Sequence, residues 1–155
     1  GQIIVNTSSH IGNYGTINSE QESNNPQING VIINEYSVVY SRYNSTSSLE
    51  DYFLKNKTVA IYDIDTRKLV KYVRDKGAMN AIISSENLDI SFLKEKLKKV
   101  PSMINLELSS RVTTKKEYMY GDESAKYKVA VLDLGCKKSI LNNFTSLLPH
   151  LYQQQ

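Results

Sequence analysis

Residues 129–141 read VAVLDLGCKKSIL and contain the only cysteine of this 155-residue chain. Cys136 stands where an apolar, β-branched run gives way to a helix-like segment. A thiol beside a helix N-terminus and two cations, here Lys137 and Lys138, is in a setting where cysteine nucleophiles occur. Cys136 is therefore either the nucleophile of a small stand-alone enzyme or a small side chain packed beneath a turn.

A cysteine nucleophile needs a base within hydrogen-bond reach, and the chain has two histidines. His150 lies beyond the far end of the helix that Cys136 begins, which at 1.5 Å per residue separates the two by roughly 18–20 Å. His10 lies in a loop near the other end of the chain, and nothing in the sequence brings it to the thiol. The residues therefore favour the structural role for Cys136.

The motif HIGNYG, residues 10–15, could form a ligand loop because two glycines and an asparagine permit unusual backbone angles. It lacks the strand–GxGxxG–helix context of a dinucleotide site and the lysine of a phosphate loop. A structural turn is the favoured interpretation. A small-ligand-binding module built around this loop is the alternative.

The motif DIDTR, residues 63–67, places two carboxylates and a guanidinium at the end of a predicted strand. Asp63 and Asp65 could bind a metal or another ligand there. Capping of the following helix by Asp65, with an ion pair to Arg67, explains the same residues more simply. We therefore expect a structural junction at this motif.

Hydrophobic periodicity and turn residues predict the elements that position these motifs. The predicted strands are 3–7, 31–36, 58–64, 79–84 and 128–134, and the predicted helices begin at Ser47 or Ser48, at Asp65 or Thr66, at Ser91 and after Gly135. Gly77 and Pro101 end the second and third of these helices. A polar tract over 101–127 separates the last strand and helix from the rest, so the fold class is mixed α/β.

Composition excludes several classes of function. The net charge of +3 is small and the basic residues are interleaved with acidic ones, so the run KEKLKK at 94–99 predicts the wet face of a helix and no nucleic-acid partner. One cysteine excludes an internal disulfide framework and a multi-cysteine zinc site. Neither a signal peptide nor an apolar run of about 20 residues is present, which predicts a cytoplasmic chain with no membrane partner. The chain begins without methionine, directly in the strand-like GQIIVNTS, and we expect it to be a fragment.

Five motifs together resemble one known family. HIGNYG, DIDTRKLVKYVRDKGAMNAIIS, VPSM, VTTKKEY and KVAVLDLGCKKSIL occur in the order and approximate spacing of the small, glutamine-hydrolysing subunit of carbamoyl-phosphate synthetase. The resemblance implies an N-terminal swivelling β/β/α domain with a mixed sheet at 1–120, lacking its first strands. It implies a linker at 121–127 and, at 128–155, the opening strand–helix unit of a truncated class I glutamine amidotransferase domain.

The resemblance also implies a function. The family's small subunit hydrolyses glutamine and delivers ammonia to a large subunit, which makes carbamoyl phosphate from bicarbonate and ATP. The heterodimer is thus an ATP-dependent carbon–nitrogen ligase that serves arginine biosynthesis, pyrimidine biosynthesis or both. ATP, nucleotide and metal sites belong to the large subunit, so no cofactor is expected in this chain.

The family's nucleophilic cysteine lies in a GICLGHQ-like elbow with a His–Glu pair, and no such elbow occurs in these 155 residues. Cys136 falls instead at a variable position of the family's D-F/L-G-x-K turn. The resemblance therefore assigns no catalytic, cofactor-binding or metal-binding residue here. It predicts an inactive docking and scaffold region that self-associates if the apolar run 128–134 finds no cover.

Overall fold

The computed structural model describes residues 1–151, of which 148–151 enter only as part of a helix backbone. The elements form a mixed α/β structure with small parallel sheets, which confirms the predicted class. The strands are β1 (Gln2–Val5), β2 (His10–Ile11), β3 (Ile28–Ile32), β4 (Glu35–Tyr36) and β5 (Val59–Ile61). The helices are α1 (Leu49–Lys55), α2 (Thr66–Lys76), α3 (Ile90–Lys98), α4 (Ser109–Val112) and α5 (Lys138–Leu151). None of the helices within 1–151 has both the length and the apolar character needed to cross a membrane.

The chain divides into two compact units. The first consists of Gly1–Glu20 and Asn25–Ile104, and the second of Gln21–Asn24 together with the chain from Asn105 onward. Four residues of the N-terminal third thus belong to the second unit, although the chain on both sides of them belongs to the first. The domain boundary predicted at 121–127 stays a prediction.

A three-stranded parallel sheet forms the centre of the first unit, in the order β1-β3-β5. The middle strand reads INGVI; Val31 within it is 5% exposed, and Ile33 directly after it is 2% exposed. Gly30 permits close packing in this strand, since an added Cβ would lie 3.1 Å from the Val59 carbonyl oxygen and 3.1 Å from Ile83 Cδ1. The core of this unit therefore lies around β3.

A second, two-stranded parallel sheet pairs β2 with β4. The sequence predicted one strand over 31–36, but the chain changes sheets at Ile33 and Asn34, so β3 and β4 are separate strands. One antiparallel bridge joins Thr16 to Ser47 outside the named strands. Within residues 1–151 the strand pairings are otherwise parallel, and the mixed-sheet swivelling domain stays a prediction.

Local capping determines where the helices begin. Ser48, one of the two predicted residues, caps α1 in a capping box, because its hydroxyl accepts the Asp51 N–H at 3.0 Å and the Asp51 carboxylate accepts the Ser48 N–H at 3.3 Å. Asp89 caps α3, whose helical part ends at Lys98, ahead of Pro101 as predicted. Gly77 ends α2 with a φ of +88°, which confirms the predicted glycine stop.

Two predicted strands are wrong. Residues 79–84 and 128–134 are irregular, and in the second segment Val129 and Leu132 are 52% and 86% exposed. A strand needs a neighbour to accept and donate its backbone hydrogen bonds, and within the described residues no strand pairs with either segment. The β-branched composition indicated that these segments prefer an extended conformation, but composition does not determine whether another strand is present to pair with them.

Candidate functional site

The turn at Asp133–Cys136 is organised by one carboxylate. Asp133 Oδ1 accepts the N–H groups of Gly135 and Cys136, each at 2.7 Å, and Oδ2 accepts the Thr114 N–H at 3.1 Å. These donors, with Cys136 the largest contributor, hold the pKa of Asp133 below its usual range because they stabilise the ionised form. The carboxylate thereby fixes the turn and joins it to the segment that follows α4.

Gly135 is required in this turn for two reasons. Its φ is +106°, in the region that glycine tolerates best. A Cβ at this position would also lie 2.7 Å from Val112 Cγ2, closer than carbon atoms approach without displacement. The glycine of the sequence motif therefore permits a close packing of the turn on the end of α4.

The start of α5 lies against Glu22. The Glu22 carbonyl oxygen accepts the Lys138 N–H at 3.0 Å, and its carboxylate Oε2 accepts the Ser139 N–H at 2.9 Å. The first N–H groups of a helix have no partner within the helix, so both bonds satisfy donors that would otherwise face water. The hydrogen bonds from Ser139 outweigh desolvation and, with the charge of Lys137, lower the pKa of the Glu22 carboxylate.

Cys136 is a free, partly exposed cysteine. Its thiol donates to the carbonyl oxygen of Lys137, with an Sγ–O distance of 3.6 Å. His10 belongs to the first unit, where its Nδ1 lies 3.3 Å from Ser9 Oγ, and the side chain of His150 lies outside the described residues. No base is hydrogen-bonded to the thiol among the described residues, so the geometry gives the nucleophile hypothesis no support.

The HIGNYG loop is held by the segment that precedes α1. The Ser41 N–H donates to the Asn13 carbonyl at 3.0 Å, and Thr16 is bonded to Ser47 through both backbone and hydroxyl groups. Gly15 has a φ of +66°, and an added Cβ would lie 2.8 Å from the Ser47 carbonyl oxygen. The glycine thus permits a close backbone approach, as in the structural turn favoured by the sequence.

The DIDTR motif forms the junction between β5 and α2. Asp65 caps the helix through a 2.9 Å hydrogen bond from the Lys68 N–H to Oδ1, which confirms the predicted cap. The predicted ion pair is wrong: within the described residues Arg67 lies in no salt bridge and is exposed on the first turn of α2. Thr66 is 1% exposed, so the motif is anchored by a buried residue rather than by paired charges.

Asp63 is the strained residue of this junction. Its φ is +64°, and its N–H donates to the Asn34 carbonyl at 2.8 Å. Asp tolerates the left-handed region better than most side chains, which explains its presence where the chain must turn sharply out of β5. Backbone conformation thus accounts for Asp63, and within the described residues neither Asp63 nor Asp65 belongs to a group of three His, Cys, Asp or Glu side chains that could hold a metal ion.

The basic run at 94–99 lies on the last turns of α3 and its C-cap Lys99, and its lysines are exposed as predicted. Lys98 Nζ lies 2.6 Å from Glu95 Oε1, and Lys96 Nζ lies 4.7 Å from the centre of the Phe92 ring. Side chains of the helix itself therefore engage both cations. Among residues 1–147 no three His, Cys, Asp or Glu side chains gather in a way that could hold a metal ion.

The second unit contains an open hollow of about 1180 Å³. Its walls are mainly apolar and include Tyr118, Val129, Val131 and Phe144, with Cys136 among them. The irregular segment 128–134 supplies one wall and remains largely exposed. The hollow thus exists because no other part of the described chain packs over the apolar side chains that line it.

Sequence reasoning missed Glu22 and Thr66. Glu22 lies in a polar loop and meets α5 across 117 residues, so no local pattern could identify it. Thr66 follows a helix cap, where a polar residue is expected to be exposed. The signal for Asp133 was present, because an Asp two residues before a glycine commonly accepts backbone N–H groups in a turn.

Comparison with known proteins gives consistent matches. Residues 1–83 match the family described as "Carbamoyl-phosphate synthase small chain, CPSase domain". The carbamoyl phosphate synthase small chains of Syntrophotalea carbinolica and Chlorobaculum tepidum are 37% and 39% identical to this chain, over 95% and 94% of its length. The Escherichia coli small chain is 33% identical over 90% of this chain. The matched regions cover 43%, 40% and 41% of these relatives, so the chain spans about two fifths of their length.

Proposed function

The chain belongs to the carbamoyl-phosphate synthase small-chain family, and on that premise we propose that it is a docking and scaffold region of a glutamine-dependent carbamoyl-phosphate synthetase. The observation that supports this role is the environment of Cys136, the only cysteine. Its thiol contacts a backbone carbonyl, and the turn around it is fixed by Asp133 and Glu22. Such a residue maintains a turn and does not attack an amide.

The proposed reaction of the complete enzyme is the hydrolysis of glutamine coupled to ligation. A thiolate outside these 155 residues attacks the side-chain amide, and an oxyanion hole stabilises the tetrahedral intermediate. Ammonia passes to the large subunit and reacts there with carboxyphosphate formed from bicarbonate and ATP. The protein must sequester the ammonia, because in water it would be protonated and lost as a nucleophile.

We assign the region 1–120 to a swivelling N-terminal domain and 121–127 to a linker. The parallel sheet around β3 supports an α/β domain in the first region. From 128 onward the apolar segment and α5 are consistent with the opening of an amidotransferase domain whose sheet provides the missing strand partner. The proposed partner is the large subunit in the cytoplasm, in arginine or pyrimidine biosynthesis or both.

Two measurements test this function. Ammonia release from glutamine is measured for the chain alone and with the large subunit, and binding of the large subunit is measured by titration calorimetry. We expect binding without ammonia release, and we expect Cys136→Ser to bind as tightly as the wild type. Glutamine turnover that Cys136→Ser abolishes would show that the chain is an enzyme, and absence of binding would refute the docking role.

A further inference from the structure

Glu22 is the one carboxylate in the described chain that reaches a helix start from more than one hundred residues away. Its backbone carbonyl and its side chain accept two consecutive N–H groups of α5, those of Lys138 and Ser139. The next donor, the Ile140 N–H, bonds to the Lys137 carbonyl at 3.1 Å. The first turn of α5 is therefore satisfied mainly by a residue that is remote in sequence.

We propose that Gln21–Asn24 is a strap whose residue Glu22 clasps the N-terminus of α5, so that order at the start of this helix depends on the loop that carries the strap. Residues 21–24 belong to the second unit, while Glu20 and Asn25 on either side belong to the first. The chain thus contributes only these four residues to the second unit before Asn105. A displacement of the strap would therefore remove the acceptors of the Lys138 and Ser139 N–H groups. Unfolding of the first turn of α5 would in turn remove the two donors that hold Glu22.

The electrostatics of the contact favour this arrangement. A carboxylate at a helix N-terminus interacts with the partial positive charge of the unsatisfied N–H groups. Lys137, next to the helix start, adds a full positive charge near the same carboxylate. Asp133 cannot replace Glu22, because its two oxygens are engaged by Gly135, Cys136 and Thr114. Glu22 therefore accepts the N–H groups at the start of α5, whereas Asp133 accepts those of the preceding turn.

Residue-resolved amide hydrogen exchange on the full chain tests the clasp from the helix side. Glu22→Ala is expected to speed exchange at Lys138 and Ser139 about fivefold, the ratio that corresponds to a typical N-cap. Glu22→Gln keeps an acceptor oxygen without the charge and is expected to lie between Ala and the wild type. The matched control is Glu123→Ala, an exposed carboxylate of the same unit, which is expected to leave these amides unchanged.

A reciprocal variant tests the clasp from the strap side. Lys138→Pro removes the N–H that bonds to the Glu22 carbonyl, at the first helical position, where proline is well tolerated. Exchange at Gln21–Asn24 is then expected to rise several-fold while α2, the internal reference, keeps its wild-type rates. Unchanged exchange at the helix start in Glu22→Ala, an equal effect of Glu123→Ala, or an unaffected strap in Lys138→Pro would each overturn the proposal.

Discussion

Replacement of Asp65 by alanine tests whether the DIDTR junction is structural. The substitution removes the acceptor of the 2.9 Å hydrogen bond from the Lys68 N–H and leaves the first turn of α2 uncapped. Loss of such a cap typically costs about 1 kcal/mol of stability. For a cooperative unit of roughly 100 residues, this free energy corresponds to a decrease in Tm of about 4–8 °C.

The assay is thermal unfolding followed by far-ultraviolet circular dichroism, with urea unfolding as an independent measure of the free energy. Asp65→Asn is the matched control, because asparagine keeps an oxygen acceptor and caps helices about as well as aspartate. We expect Asn to retain most of the stability that Ala loses. Equal Tm values for the wild type and Asp65→Ala would refute the capping argument. If that variant also failed to bind the large subunit, Asp65 would be an interface residue instead.

Three further outcomes are expected. Asp63→Ala should lower Tm, because alanine adopts the observed φ of +64° at a cost of about 1 kcal/mol that aspartate partly avoids, and an unchanged Tm would contradict this. The depressed pKa of Asp133 means that its stabilising contribution is present above the unfolded pKa of about 3.9 and is lost as pH falls through the folded pKa. Protection of the Gly135 and Cys136 amides, corrected for intrinsic exchange, should therefore persist near pH 4, disappear at lower pH and lose this dependence in Asp133→Asn. Residues 128–134 should exchange faster than β3, and sedimentation should show concentration-dependent self-association; a strict monomer with protection equal to that of β3 would contradict this.

The features that the sequence predicted well are local. Ser48 and Asp65 cap helices through donors three residues away, so the residues that determine the contact lie within one short window. Pro101 and Gly77 likewise act on the helix immediately before them. The mixed α/β class follows from such windows, because it requires only that helix and strand preferences alternate along the chain.

The features that the sequence did not predict require a partner elsewhere. The segment 128–134 has the composition of a buried strand, yet a strand exists only where another strand pairs with it. Glu22 meets Ser139 across 117 residues, and nothing in the polar loop distinguishes Glu22 from Glu20, which pairs with Arg42 instead. Periodicity indicates which secondary structure a segment prefers. The missing strand at 128–134 and the Glu22–Ser139 hydrogen bond depend instead on which distant segment lies nearby.

The remote position of Glu22 imposes an order of events during biosynthesis. A ribosome that adds about 5–20 residues per second completes Ser139 roughly 6–23 s after Glu22. Within that interval β3 and β5 are completed and can pair with β1, whereas residues 21–24 have no helix to bind and stay accessible. A nascent chain arrested before Ser139 would therefore be cleaved by a protease at this loop, and the finished chain would resist the same cut.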